Sequence, residues 1–166
     1  MKQKSISVFF PALNEQENIK TCVLRALKYL KKRFKDYEIL IVSNGSTDNT
    51  TKIALEFARK DKRIKSICNR KVGYGIALRS GFANSSKELI FYTDADNQFN
   101  IQDMDKLLPL LDSYDIISGF RVNRRDPLMR IFVADVYNFI IRILFSLRIK
   151  DIDASFKLYK RKVFEN

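Results

Sequence analysis

Histidine is absent from the 166-residue chain, and so is tryptophan. Without imidazole there is no Ser-His-Asp triad, no Cys-His pair and no His-ligated zinc. Cysteine is scarce: Cys22 and Cys68 could form one disulfide at most. No signal peptide opens the chain, so two reduced thiols are the expected state. Acidic residues are the minority, 19 Asp and Glu against 31 Lys and Arg, a formal charge of +12. No internal repeat, low-complexity tract or Pro/Gly/Ser linker interrupts the chain, so residues 1–166 read as a single domain. Apolar residues make up 46%, enough to build a core. What remains for chemistry is carboxylates, amides, hydroxyls and surplus cations. That set favours oxygen-ligated metals and phosphate-bearing partners.

A basic chain attracts nucleic acid, anionic lipid and phosphate substrates alike. No RRM, KH or helix-turn-helix signature is present, so nucleic acid is not the expected partner. Lys28, Lys31, Lys32, Arg33 and Lys35 read as the outer face and end of a helix. Arg121, Arg124, Arg125 and Arg130 flank Pro127 in a loop where an anion site is expected, a solvated basic surface being the alternative.

Short apolar runs alternate with helical stretches. Ile6–Phe10 predicts a first strand, and Asn14 with Glu17 three residues on predicts a helix N-cap and capping-box partner. Ile19, Val23, Leu24, Leu27 and Leu30 then recur at helical spacing. Glu38–Val42 predicts a second strand, after which Thr47 or Asp48 caps a second helix. Ile64–Ile67 predicts a short strand, Gly73–Phe82 a helix, and Leu89–Tyr92 a buried central strand. Asp103–Leu111 reads as a helix and Ile116-Ile117 as a fifth strand. This alternation predicts an α/β fold with a mostly parallel central sheet flanked by helices. Ligands in such sheets bind beyond the carboxyl ends of the strands, where the turns at Asn14, Asn44 and Asp94 should gather. Ile131–Ile149 is the most apolar stretch, but Asp135, Asn138, Arg142 and Arg148 interrupt it. It lacks the about 20 apolar residues of a membrane span. Core packing is the expectation, and a helix lying on a membrane surface the alternative.

Three turns carry candidate chemistry. Asp94-Ala95-Asp96 places two carboxylates at the end of an apolar strand, an arrangement that suits Mg²⁺ or Mn²⁺. Gln98 could add a neutral oxygen. The plain alternative is a polar turn before a helix. Asn44-Gly45-Ser46-Thr47-Asp48 feeds a helix N-terminus and could face an anion or nucleotide, or be an ordinary turn. Gly73-Tyr74-Gly75 permits close backbone approach to a ligand. It is neither a P-loop nor a dinucleotide fingerprint, since Leu78 stands where the third glycine would be.

In order and spacing, these pieces resemble the family 2 glycosyltransferases of GT-A fold. The resemblance rests on Phe10-Pro11-Ala12-Leu13-Asn14-Glu15, on Glu38 through Asp48, on Gly73–Ala77 and on Asp94-Ala95-Asp96-Asn97-Gln98. Gly119-Phe120-Arg121, Arg124–Pro127, Arg130, Tyr137-Asn138 and Asp151–Tyr159 are similar to the dolichol-phosphate mannosyltransferase branch. The resemblance implies that Pro11, Asn14, Glu15 and Asn44, with Gly73, Asp94 and Ala95, bind a nucleotide-diphospho-sugar. It implies that Asp94, Asp96 and Gln98 hold Mg²⁺ or Mn²⁺, that Asp96 and Arg121 are catalytic, and that Arg121, Arg130 and Lys157 receive an acceptor phosphate. The implied reaction is inverting transfer of a hexose, from a GDP-mannose or UDP-glucose type donor, to a polyprenyl (dolichyl or undecaprenyl) phosphate. The implied place is the cytoplasmic face of a membrane, with the chain peripheral or anchored by a segment outside it. A phosphate acceptor is already ionised near neutral pH (its second pKa is about 6) and needs cations rather than an imidazole base, in keeping with the missing histidine. A saccharide or glycolipid hydroxyl as acceptor, or a non-catalytic nucleotide-sugar-binding domain, are the alternatives. The chain departs from the family at Ser43-Asn44, where Asp-Asp is common. Family catalytic domains continue well beyond the length seen here, so a domain incomplete at its C-terminus is expected.

Overall fold

The computed structural model describes residues 4–120, 129, 136, 139–141, 143–145, 151 and 154–165. Among the described residues the sheet has six strands. These are β1 (Ile6–Ala12), β2 (Tyr37–Asn44), β3 (Ile64–Asn69), β4 (Leu89–Thr93), β5 (Ile116–Ser118) and β6 (Phe156–Lys160). Their order is β3-β2-β1-β4-β6-β5. The first four run parallel, while β6 pairs antiparallel with both β4 and β5. The α/β architecture with a mostly parallel sheet is thus as expected, with β6 the strand that local signals do not reveal. Its Phe-Lys-Leu-Tyr-Lys alternation suits a strand exposed on one face, but its partner β4 lies over sixty residues back in the chain.

Strand periodicity divides the core. Val8 and Phe10 of β1 and Ile39 and Ile41 of β2 face one side, where they pack with Ile19, Val23, Ala26 and Leu30 of α1 (Ile19–Arg33). Phe9, Leu40, Val42, Ile90 and Tyr92 face the other side, against α3 (Tyr74–Asn84). Every residue of β1, β2 and β4 is buried, as continuous apolar strands between two helical layers should be. Gly81 sets the closeness of α3: a Cβ there would lie 2.4 Å from the Phe9 ring. Phe9 in turn stacks on Tyr92 with centroids 5.2 Å apart.

Beneath β1 and β2 sits one buried charge. Glu38 accepts from Ser7 Oγ at 2.7 Å and from Ser86 N and Oγ at 2.6 and 2.8 Å. Lys65 Nζ stands 2.6 Å from its other oxygen. Burial opposes ionisation of this carboxyl, but the Lys65 ammonium and the serine donors outweigh it and hold the pKa down at about 2.

Several local expectations change. The first helix begins at Ile19, and Asn14 does not cap it; Asn14 is a left-handed residue (φ 55°) committed to another loop. α2 (Thr50–Lys60) begins after Asn49, though the Asp48 carboxylate does accept from Thr50 N at 2.9 Å. The expected helix over Asp103–Leu111 is broken. A 3₁₀ turn (Ile101–Asp103) leads into α4 (Met104–Leu107), and a second 3₁₀ turn follows over Leu108–Asp112. Pro109 has no N–H to continue the α-helical ladder. In the apolar stretch, Val136, Phe139, Ile140, Ile143, Leu144 and Phe145 are exposed and Ile141 is half-buried, so core packing does not cover these six. Among the described residues no helix is long and apolar enough to cross a membrane.

Candidate active site

The carboxyl ends of β1, β2 and β4 point the same way, so the turns that follow them meet. They enclose a cleft of about 240 Å³. Pro11, Ala12, Leu13 and Glu15 come from β1 and its loop, and Asn44 from the end of β2. Tyr74 and Ala77 come from α3, and Asp94, Ala95 and Asp96 from the turn after β4.

Each wall is fixed by side chains. Asn14 Oδ1 accepts from Thr47 N at 2.9 Å, and Asn14 N donates to Ser46 Oγ at 3.1 Å. Glu15 N donates to Thr50 Oγ1 at 2.8 Å. These bonds tie the β1–α1 loop to the β2–α2 loop. Asn14 therefore buttresses the cleft from behind without lining it. Asn44, buried at 3% exposure, donates from Nδ2 to the Gly73 carbonyl at 2.7 Å. Gly73 adopts φ 157°, opening the way into α3, and its carbonyl also accepts from Ile76 N and Ala77 N. The amide oxygen of Asn44, Oδ1, is buried without a hydrogen-bond partner among the described residues. A buried acceptor lining a cleft is suited to an N–H supplied by a ligand.

The acidic turn is gripped from both sides. Tyr74 Oη donates to Asp94 Oδ1 at 3.0 Å. Burial and then the Asp94 charge push the Tyr74 hydroxyl far above its usual range, so it stays a protonated donor. Asp96 Oδ1 accepts from Gln98 N at 3.0 Å. Between them and α1, Asn97 takes a left-handed conformation (φ 60°). Its Oδ1 accepts from Cys22 Sγ at 3.1 Å and its Nδ2 donates to Asn18 Oδ1 at 3.2 Å. Asn18 in turn donates to Glu15 Oε2 at 2.9 Å. Cys22 is free and buried, and burial raises its pKa, so it acts as a thiol donor.

Of the residues singled out in the sequence, Pro11, Glu15, Asn44, Asp94, Ala95 and Asp96 converge on the cleft, and Gly73 frames it. Gln98 does not line it but lines a separate groove beside α1. Lys157 is opposite Tyr92 on β6, next to β4 and outside the cleft lining. Arg121 and Arg130 lie outside the described residues. Tyr74 belongs to the Gly73-Tyr74-Gly75 turn, which the sequence marks for its backbone and not for the tyrosine side chain. Its signal is only its place after Gly73, and its partner Asp94 is twenty residues further on.

The donor set fits a small hard divalent cation. Mg²⁺ and Mn²⁺ commonly take one or two carboxylates and complete their shell with water and substrate phosphates. Asp94 and Asp96 supply that number. Among the described residues no group of three or more His, Cys, Asp or Glu side chains is gathered at one place.

A family model for glycosyl transferase family 2 matches residues 7–166. The chain belongs to that family. Its fold is shared with solved glycosyl-phosphoglycerate synthases. Mannosyl-3-phosphoglycerate synthase from Rubrobacter xylanophilus superposes with a TM-score of 0.75 at 16% identity, covering 97% of this chain and 54% of the other. Glucosyl-3-phosphoglycerate synthase from Mycobacterium tuberculosis, in complex with Mn²⁺, UDP and glucosyl-3-phosphoglycerate, gives 0.74 at 17% identity, covering 96% and 58%. The same enzyme with UDP alone gives 0.72 at 20% identity over the same shares. The chain thus spans little more than half the length of these solved proteins.

Proposed function

We propose that the chain carries the donor-binding part of a metal-dependent hexosyltransferase that uses a nucleotide-diphospho-sugar. The observation that carries this reading is the convergence of Asn44, Glu15, Tyr74, Asp94 and Asp96 on one cleft at the carboxyl ends of the strands. Family membership and the Mn²⁺ and UDP bound by the mycobacterial enzyme support it. Asn44 Oδ1 accepts an N–H of the base, and the loops tied through Asn14 and Thr50 hold the pocket open for it. Asp94 and Asp96 would hold Mg²⁺ or Mn²⁺, which when bound offsets charge on the leaving diphosphate. Tyr74 keeps Asp94 turned into the cleft by donating to one oxygen, and Asn97 fixes the backbone that aims Asp96.

The acceptor we infer is a polyprenyl phosphate, which attacks through its own ionised oxygen, with inversion at the sugar carbon. The later motifs, Gly119–Pro127 and Asp151–Tyr159, support this branch, with Arg121, Arg130 and Lys157 receiving the phosphate. The exposed Phe139, Ile140, Ile143, Leu144 and Phe145 are suited to a membrane surface, which supports work at the cytoplasmic face. A second reading has support in the names of the solved relatives, whose products are glycosyl-phosphoglycerates. There the acceptor is a small phosphorylated acid. Incubation with Mn²⁺ and UDP-glucose or GDP-mannose separates the two, using undecaprenyl phosphate, 3-phosphoglycerate and a disaccharide as acceptors and mass spectrometry of the products. Hexosyl-phosphoryl-undecaprenol is expected. Transfer to 3-phosphoglycerate or to the disaccharide alone would overturn the lipid reading.

A further inference from the structure

A second and larger cavity, about 700 Å³, lies between α1 and the segment after the acidic turn. One wall is Arg25, Lys28 and Lys32, with Arg33 at the far end; the other is Asn97, Gln98, Asn100 and Gln102. The two cavities share no lining residue. Arg25, Lys28 and Lys32 fall at i, i+3 and i+7, so they project from one face of the helix.

The balance of charge in this groove is one-sided. Its single carboxylate, Asp105, is engaged at 2.9 Å by Arg33 and accepts from Tyr29 Oη at 2.6 Å. Lys28 and Lys32 have no ion-pair partner among the described residues, and Arg25 reaches only the Asn97 amide at 3.4 Å. A helix dipole accounts for basic residues in the last turn, Lys31 to Arg33. It does not reach Arg25 and Lys28, which lie further back. Like charges at this spacing repel one another, and the cost is relieved when an anion sits between them. The facing amides of Gln98, Asn100 and Gln102 add donors, the Asn97 Nδ2 being committed to Asn18.

We propose that this groove is a metal-independent site for a phosphate-bearing ligand, separate from the donor cleft. It does not depend on the reading of that cleft. Three cations and a wall of amides match the oxygens of a phosphate or diphosphate, and the size is that of an ordinary small-molecule site. The acidic cleft repels the same anion when no metal is present, so chelator isolates the groove.

The test is calorimetry with inorganic pyrophosphate in EDTA, at low salt. Binding at one site is expected, weakened at least about tenfold in Lys28→Gln/Lys32→Gln and unchanged in Lys52→Gln on α2. Arg25→Gln alone should weaken it too, which keeps the test intact if the double variant melts early. Co-sedimentation with phosphatidylcholine vesicles containing phosphatidic acid distinguishes the source. Vesicle binding lost in the double variant assigns the phosphate to a lipid headgroup; pyrophosphate binding without vesicle binding assigns a soluble ligand. If neither probe binds, or if both bind the double variant and Arg25→Gln as they bind the parent, the proposal is overturned.

Discussion

Asn44 is buried at the edge of the cleft, and its surroundings give the substitution Asn44→Asp a calculable cost. Asn44 Nδ2 donates to the Gly73 carbonyl at 2.7 Å in a buried setting. An ionised aspartate at this position would set a carboxylate oxygen against that carbonyl in place of a donor. Losing a buried hydrogen bond costs about 1–3 kcal/mol. The Gly73 carbonyl keeps its bonds from Ile76 N and Ala77 N, so the penalty falls mainly on the new carboxyl. Burial and the facing carbonyl would raise its pKa above the ordinary value of about 4. A raised folded-state pKa favours the fold below the unfolded value and loses that contribution as pH rises through the folded one. The protonated acid can still donate to Gly73. The variant should therefore trail the parent little near pH 4 and by about 3 kcal/mol at pH 7. For a domain of this size that is roughly 6–12 °C in melting temperature. Melts of both proteins at the two pH values give the comparison directly. Equal melting at pH 7, or a gap that widens toward acid, would refute the Asn44–Gly73 contact as described.

Further outcomes follow from the packing and the buried charge. Gly81→Ala should destabilise by about 2 kcal/mol in urea unfolding, because overpacking against Phe9 exceeds the helix-propensity gain of about 1 kcal/mol. An unchanged midpoint would show that Phe9 can yield. Glu38, held at about 2 against an ordinary 4.5, stabilises the fold above pH 4.5 and loses that contribution as pH falls toward 2. The amount is roughly 3 kcal/mol, and Glu38→Gln should flatten the acid limb of the stability curve. An equally steep limb in that variant would assign acid unfolding to other carboxylates.

The parallel half of the fold was legible because its signals are local. Ile6–Phe10 and Leu89–Tyr92 are apolar runs of strand length, and the helices between them repeat at 3.6 residues. Topology then dictates that Pro11, Asn44 and Asp94 share one edge, so the centre of the cleft could be anticipated. What escaped depends on contacts distant in sequence. β6 becomes a strand only against β4, and Tyr74 matters only because it reaches Asp94. Asn14 carried a genuine capping pattern, but its side chain is taken by Thr47 and the helix starts later. Gln98 shares a turn with Asp96 through its backbone N–H, yet the residue lines the groove beside α1 and not the cleft.

Asp94 and Asp96 are proposed to make this cleft a metal-dependent nucleotide-sugar site. Calorimetry of the chain with UDP-glucose and with GDP-mannose, with and without Mn²⁺, in the parent and in Asp96→Ala, tests it directly. One of these donors is expected to bind the parent more tightly with Mn²⁺, and the metal-dependent increment to vanish in Asp96→Ala. Equal affinity of that donor for both proteins in Mn²⁺ would contradict it.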